Sequence, residues 1–174
     1  MKYYNIIDDA EKHIALYVLS KFPNKVCDKH KLFKIMYLAY RDYLAASGKQ
    51  MFEPGFKKLE YGPVPFNLYP KLHTIKEDIR IVNKYSVQAL SEPDLDYIAE
   101  AEREFLDRAI EEYKDKSFAE LTAISHDCAW DSATSNNQMD IYSIAQAGGA
   151  DEDMIEYIRF HNEEIIFGAE CAVA

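Results

Sequence analysis

The sequence predicts a mainly α-helical protein of the α+β class, a compact single-domain bundle of about six helices with a minor β-hairpin or short strands. Apolar residues recur at helical spacing in several segments. Alternation typical of strands is confined to residues 51–64 and 78–90. The chain of 174 residues has no internal repeat and no linker, so we expect one domain over residues 1–174.

Two helices are predicted before residue 48. Apolar residues at helical spacing indicate a first helix over about 8–22, stopped by Pro23. Asp28 is suited to cap a second helix, and Gly48 to end it in a left-handed turn. Residues 32–44 between them read LFKIMYLAYRDYL, which is apolar on most sides, so this helix is expected at the centre of the fold.

The middle of the chain is predicted to be less regular. Residues 51–64 are expected to form a short strand or extended loop, because one Pro-Gly and one Gly-Pro pair break helices there. Pro65 then fits the first turn of a third helix, which Pro70 delays or kinks. Apolar residues between 79 and 87 indicate a β-hairpin arm. This arm either packs on its own domain, the favoured interpretation, or adds a strand to a partner.

Helical spacing resumes in the last half of the chain and predicts a fourth helix over about 94–113. Ser117 and Glu120 have the spacing of a capping box, which opens a fifth helix ending near His126. Three further segments are expected: a polar loop over 131–138, a short helix over 140–146 ended by Gly148-Gly149, and a last helix over 151–166 with Met154, Ile158, His161 and Ile165 on one face.

The charge balance limits the classes of partner. The formal charge is −10, from 20 basic and 30 acidic side chains. Such a chain repels a nucleic-acid backbone unless its basic residues are segregated, and the densest basic cluster, in residues 25–34 with Lys57 and Lys58 later, is small. We therefore expect no direct nucleic-acid binding. The acidic surface suits a basic protein partner or serves solubility alone.

Cysteine usage and hydropathy predict a cytoplasmic protein. Cys27, Cys128 and Cys171 are scattered and form no CxxC pair, which argues against a secreted disulfide framework. The first 12 residues hold two aspartates where a signal peptide needs an apolar core. No apolar run approaches the ~18 residues of a membrane span.

The sequence holds no convincing catalytic, metal or cofactor site. His126 and Cys128 are the best candidates for a base and a nucleophile, but neighbouring residues on a helix point in different directions. The five histidines are dispersed, without an HxxxH pattern. No glycine-rich phosphate-binding motif occurs. We therefore predict a protein that is not an enzyme and needs neither cofactor nor metal.

Three motifs follow one another in the chain. They are Leu32, Lys34, Tyr37, Leu38 and Ala39; then Tyr61, Gly62, Pro63 and Val64 with Leu68 and Tyr69; then Leu121, Ser125, His126 and Trp130. In this order and spacing the sequence resembles the Panacea or SocA-like antitoxin domain, over roughly residues 14–158. Ser125 stands where the family usually has threonine, which preserves the hydroxyl.

The resemblance implies a non-enzymatic antitoxin that neutralises a toxin, encoded by an adjacent gene, through direct protein–protein binding. It also implies an alternative, an adaptor that delivers a client protein to a protease. The negative charge leaves a further alternative, an acidic phage or mobile-element inhibitor that mimics nucleic acid against a host defence protein. Such mimicry needs clustered acids, whereas here they are spread along every predicted helix.

The candidate family-motif and partner-binding residues are aromatic or basic, or belong to the Gly-Pro-Val run at 62–64. The Gly62-Pro63 pair is expected to make a rigid bend, with Gly62 in a conformation closed to other residues. This corner is interpreted as fold-defining in preference to a direct partner contact. The candidates are Lys34, Tyr37, Tyr61, Gly62, Pro63, Val64, Tyr69, His126 and Trp130.

Trp130 is expected to be buried against the central helix. Its indole combines a large apolar body with one polar tip, which suits a core or an interface. We expect it near Tyr37 or Tyr40, with His126 in the same layer.

Overall fold

The computed structural model describes the backbone of residues 6–173 and the side chains of residues 9–162. The predicted class, mainly α with a minor β component, is confirmed. Within the described residues there are eight α-helices and five strands: α1 (Ile6–Ser20), β1 (Val26–Asp28), α2 (Lys29–Ser47), β2 (Phe56–Leu59), β3 (Gly62–Pro65), α3 (Leu68–Lys71), β4 (Ile79–Ile81), β5 (Ser86–Ala89), α4 (Glu100–Tyr113), α5 (Phe118–Ser125), α6 (Cys128–Ser132), α7 (Ile141–Ala147) and α8 (Glu152–Val173).

Helix α2 is the central element, as predicted. The Asp28 carboxylate accepts hydrogen bonds from the backbone amides of His30 and Lys31, at 2.8 and 3.1 Å, and so caps the N-terminus. Gly48 ends the helix in a left-handed conformation. Eleven of its 19 residues are buried, because α1, α4, α5, α7 and β3 all pack against it.

A β-hairpin follows α2, where the sequence predicts a single extended segment. Strands β2 and β3 pair antiparallel in a register that leaves Glu60 and Tyr61 as the turn. Phe56 of β2 is fully buried, and its ring centroid lies 5.2 Å from that of Tyr37 and 5.1 Å from that of Tyr40. The hairpin is therefore fixed on the central helix by aromatic packing.

The expected third helix begins later than predicted. Pro65 is the last residue of β3, not part of a helix, because it pairs with Phe56 of β2, and the Phe66 amide donates to the Gly55 carbonyl at 2.9 Å. Proline is tolerated both at the end of a short strand and in the first turn of a helix. The sequence therefore did not show which of these positions Pro65 occupies. Helix α3 is a single turn that contains Pro70.

The predicted hairpin arm is confirmed as β4 and β5, and it belongs to a three-stranded sheet in the order β1-β5-β4. The arm packs on its own domain through Ile79 and Val87, which are buried. Strand β1 was not predicted, because three residues between a 3₁₀ turn and the cap of α2 are too few for an alternating pattern.

The C-terminal half follows the predicted order with two corrections. The fourth helix is shorter than expected: residues 95–97 form a separate 3₁₀ turn before α4 begins at Glu100. The polar loop over 131–138 begins later, because α6 occupies residues 128–132 and is opened by the Asp127 side chain, which accepts from the Trp130 amide at 3.1 Å. The loop after α6 runs beside β2, where the Met139 amide donates to the Phe56 carbonyl at 2.8 Å.

The remaining C-terminal elements lie where they were predicted, except that the last helix is longer. Ser117 and Glu120 form the expected capping box at the start of α5. Helices α7 and α8 occupy the two last predicted segments, but α8 continues to Val173, beyond the predicted end at 166. The expected position of the Ile165 side chain lies outside the described side chains. None of the described helices combines the length and the hydropathy needed to cross a membrane.

Gly62 should not tolerate a side chain. Its φ is +131°, and a Cβ there would lie 3.1 Å from Lys34 Cε and 3.2 Å from Ser125 Oγ. We expect Gly62→Val to lose about 1–3 kcal/mol of stability, because a β-branched residue is strained in this conformation. Thermal denaturation measures the loss, and a melting temperature equal to that of wild type would contradict the prediction.

Gly149 provides the matched control. It has a φ of +96°, but a Cβ there meets nothing within 4 Å. Gly149→Val therefore carries backbone strain without crowding, and Gly62→Val should lose more stability than Gly149→Val. Equal losses would show that close packing at the turn contributes nothing.

Candidate functional site

The three sequence motifs meet around the β2–β3 turn. Gly62 lies against the Lys34 side chain of α2 on one side and Ser125 of α5 on the other. The His126 imidazole, at the C-terminal end of α5, lies close to the backbone of Tyr61. The turn is therefore held between α2 and α5, and residues far apart in the chain form one site.

An aromatic triad, formed by His30, Tyr61 and Phe118, lies at the surface of this site. The His30 ring centroid is 6.0 Å from that of Tyr61 and 5.6 Å from that of Phe118, and the Tyr61 and Phe118 centroids are 6.0 Å apart. Tyr61 is 53% exposed and Phe118 is 49% exposed. Exposed aromatic rings in mutual contact are typical of protein-binding surfaces.

Two members of the triad were missed by the sequence analysis. His30 lies one helical turn before Lys34 on α2, so their i, i+4 spacing was a usable signal. Phe118 directly follows the cap residue Ser117 and therefore projects from the first turn of α5. Neither position shows that its ring would meet Tyr61, since that contact depends on the hairpin.

Lys34 lies beneath the aromatic triad and is almost completely buried, at 2% exposure. Among the described residues its Nζ has no hydrogen-bond partner. The amine lies 4.5 Å from the centre of the Phe118 ring, a cation–π contact that replaces part of its lost hydration. Burial lowers the pKa of Lys34 to about 8, although the nearby Asp28 carboxylate acts in the opposite direction.

The neighbouring imidazoles respond to the same environment. Burial lowers the pKa of both His30 and His126, and the positive charge of Lys34 lowers it further. Both rings are therefore biased toward the neutral form. The site therefore keeps a buried positive charge on Lys34, next to the neutral His30 and Phe118 rings.

Two clefts adjoin Lys34. The smaller, of about 50 Å³, lies under the turn and is also lined by Pro63, Val64 and Tyr69. The larger, of about 230 Å³, lies between α2 and the start of α5, where Lys31 and Lys116 line it with Asp28. The buried amine is thus next to space that a ligand group could fill.

Trp130 does not occupy its predicted place. It is half-buried and packs against the hairpin, where its Nε1–H donates to the Leu59 carbonyl at 2.9 Å. The Lys58 ammonium lies 4.0 Å above the ring. The expected layer with His126 is present, since the two rings stack at 3.6 Å. The prediction of burial near Tyr37 or Tyr40 was wrong because α6, which carries Trp130, was not foreseen.

Tyr37 supports this region from the core. Its hydroxyl donates to Asp127 Oδ2 at 2.7 Å, and Arg41 lies 3.3 Å from the same oxygen. The other carboxylate oxygen of Asp127 caps α6. Tyr37 is fully buried, so its contribution is to fix α6 on α2 rather than to contact a partner.

The candidate residues therefore divide into buried supports and surface residues. Among the described residues, no group of histidine, cysteine and acidic side chains is arranged to hold a metal ion. The His126 ring faces the Trp130 indole, and Cys128 is exposed on α6. Buried supports are Lys34, Tyr37, Gly62, Pro63 and Val64; Tyr61 and Tyr69 are exposed, and His126 and Trp130 are half-buried.

We expect Lys34→Met to stabilise the protein near pH 7 by about 1–3 kcal/mol, because methionine is close in size and removes a buried amine without a hydrogen-bond partner. The pKa of Lys34 is about 8 in the folded chain against an ordinary 10.5, so the unfolded chain binds more protons between these values. Wild-type stability should thus rise relative to the variant from pH 8 to 10.5. Denaturant titrations of both proteins across this pH range measure the change. A difference in unfolding free energy that does not vary with pH would contradict the lowered pKa of Lys34.

The central part of the chain matches a known protein family. Residues 32–131 match the family described as Antitoxin SocA-like, Panacea domain. No curated protein and no solved structure matched the chain. The matched region covers more than half of the 174 residues and contains every candidate residue predicted from the sequence, from Lys34 to Trp130. The chain therefore belongs to the SocA-like, Panacea-domain antitoxin family.

Proposed function

We propose that this protein is the antitoxin of a toxin–antitoxin pair, and that it acts as a single domain, residues 1–174, by binding its toxin directly. Membership of an antitoxin-domain family supports a role of the toxin–antitoxin type and a protein as its partner. The observation that carries the binding proposal is the aromatic triad of His30, Tyr61 and Phe118, exposed at the place where the family motifs meet.

The composition of this surface favours a protein partner. Tyr61 and Phe118 expose large rings that lose little conformational freedom on binding, which is the property of hot-spot residues in protein interfaces. Beside them, Trp130 is held by the hydrogen bond to Leu59 and presents a half-buried ring under Lys58. The proposed binding surface therefore combines fixed aromatic groups with lysines at its edge.

The site favours binding over chemistry. The nearest candidate for catalysis is the pair His126 and Cys128, and the His126 ring is stacked on the Trp130 indole. The other described cysteine, Cys27, is buried, and burial raises the pKa of its thiol to about 12, which disfavours the thiolate needed for attack. Occlusion of the toxin by complex formation requires neither group.

Replacing both exposed rings should abolish neutralisation. In cells that express the toxic gene next to this one, we expect Tyr61→Ala combined with Phe118→Ala to lose growth rescue and to stop co-purifying with the toxin. Both side chains are about half exposed, so the variant should still fold. Truncation of interface hot-spot residues weakens complexes by about 30-fold or more each.

Phe160→Ala is the matched control, because Phe160 is 59% exposed on α8, outside the matched region. This control should rescue growth as wild type does. Full rescue by the folded double variant would show that the toxin binds elsewhere.

Neutralisation should be stoichiometric. A variant with His126→Gln and Cys128→Ser lacks the candidate base and nucleophile, and we expect it to rescue growth at a one-to-one ratio with the toxin, as wild type does. Titration of purified antitoxin against toxin activity measures the ratio. Protection by trace amounts of wild type that disappears in the folded variant would indicate an enzyme instead.

A further inference from the structure

Lys34 is more deeply buried than a lysine without an ion pair should be. Transfer of an ammonium out of water is costly, and buried lysines normally pair with a carboxylate. Here the side chain is 2% exposed, and Nζ has no hydrogen-bond partner among the described groups. A methionine would fill the same space without this cost, so stability alone does not account for the residue.

Among the residues whose side chains are described, no carboxylate forms a hydrogen bond with the Lys34 amine. Asp28 is the acidic residue that lines the same cleft, and its Oδ1 accepts hydrogen bonds from the backbone amides of His30 and Lys31 at the start of α2. Three lysines, Lys31, Lys34 and Lys116, line the cleft against this one aspartate. The cleft is therefore locally positive on a chain whose formal charge is −10.

We propose that Lys34 is the binding point for a carboxylate of the partner protein, which enters the cleft between α2 and α5 and forms an ion pair with the buried amine. This proposal rests on the function proposed above. It assigns the aromatic triad a second part in binding, because the rings that contact the partner also exclude water from the ion pair. Exclusion of water strengthens such a pair.

The geometry provides both room and an entrance. The cleft of about 230 Å³ holds a carboxylate together with its methylene stem, whereas the cavity of about 50 Å³ under the turn holds no more than one or two waters. The Phe118 ring covers Nζ at 4.5 Å and is itself half exposed at the first residue of α5. The proposal requires this ring to turn aside as the carboxylate enters.

Binding through Lys34 is coupled to its protonation. An ion pair favours the charged amine, so the complex should weaken as the pH rises above about 8, the pKa of Lys34 in the free protein. Tyr61 of the turn and Tyr69 of α3 line the small cavity beside Lys34. The other titratable groups around it are Asp28, His30, Lys31, Lys116 and His126.

The test is the affinity of purified Lys34→Met for the product of the adjacent toxic gene, by calorimetry at pH 7 and pH 9. Loss of one member of a buried ion pair should weaken the complex at pH 7 by about 30-fold or more. Wild-type affinity should fall between pH 7 and pH 9 more than that of Lys34→Met. The variant retains the size of the side chain, and a cooperative melt confirms its fold.

Lys12→Met is the matched control, because Lys12 is also a largely buried lysine but pairs with Asp78 on another part of the fold. It should bind the toxin as wild type does. If Lys34→Met binds the toxin as tightly as the wild-type protein does at both pH values, the proposal is overturned. If Tyr61→Ala with Phe118→Ala still abolishes binding in that case, the binding surface stands and only the ion pair is lost. Unchanged affinity in both variants would overturn the proposed surface as well.

Two sets of toxin variants identify whether the carboxylate is a side chain or the C-terminus. Replacing single Asp and Glu residues of the toxin by Asn and Gln should reproduce the loss at one position if the group is a side chain. A single residue added to the C-terminus of the toxin should reproduce it if the group is the terminal carboxylate. Each substitution should have no further effect on the complex with Lys34→Met, since both changes remove the same interaction. Additive losses at every position would contradict the pairing.

Discussion

The site depends on the close approach of the β2–β3 turn to the Lys34 side chain of α2. Gly62 permits this approach, because at its φ of +131° any other residue is strained and a Cβ would crowd Lys34 and Ser125. The β2–β3 turn buries Lys34 and also exposes Tyr61 to solvent. One glycine thus determines both the burial of a charge and the position of an exposed ring.

The position of the turn is secured from the opposite side by Asp127. Its carboxylate joins Tyr37 and Arg41 of α2 to the first turn of α6, and α6 carries the Trp130 indole that donates to the Leu59 carbonyl of β2. A buried polar link of this kind specifies one arrangement, because a slipped helix would leave the carboxylate without partners. The hairpin is therefore held between α2 and α6 as well as between α2 and α5.

The sequence was informative where local chemistry decides the structure. Asp28 and Gly48 lie at the two ends of α2 as expected, and the Ser117 capping box begins α5. These features were predictable because caps act on backbone groups a few residues away. Segments too short for a periodic pattern were missed, as with α6. The wrong position for Trp130 follows from that omission, since the direction of its side chain depends on a five-residue helix.

The sequence predicted only part of the candidate site, for a related reason. The motif residues were identified, but the sequence did not distinguish the exposed Tyr61 from the buried Lys34, and hydropathy alone favours the opposite assignment. The motif thus contains residues with two different roles, structural support in the core and exposure at the surface. Buried members such as Tyr37 and Gly62 maintain a geometry, while Tyr61 and the neighbouring Phe118 form a surface whose chemistry can change without altering the core. If the proposed function is right, a scaffold divided in this way leaves the partner-binding rings free to vary, because most of the motif is occupied with holding the hairpin in place.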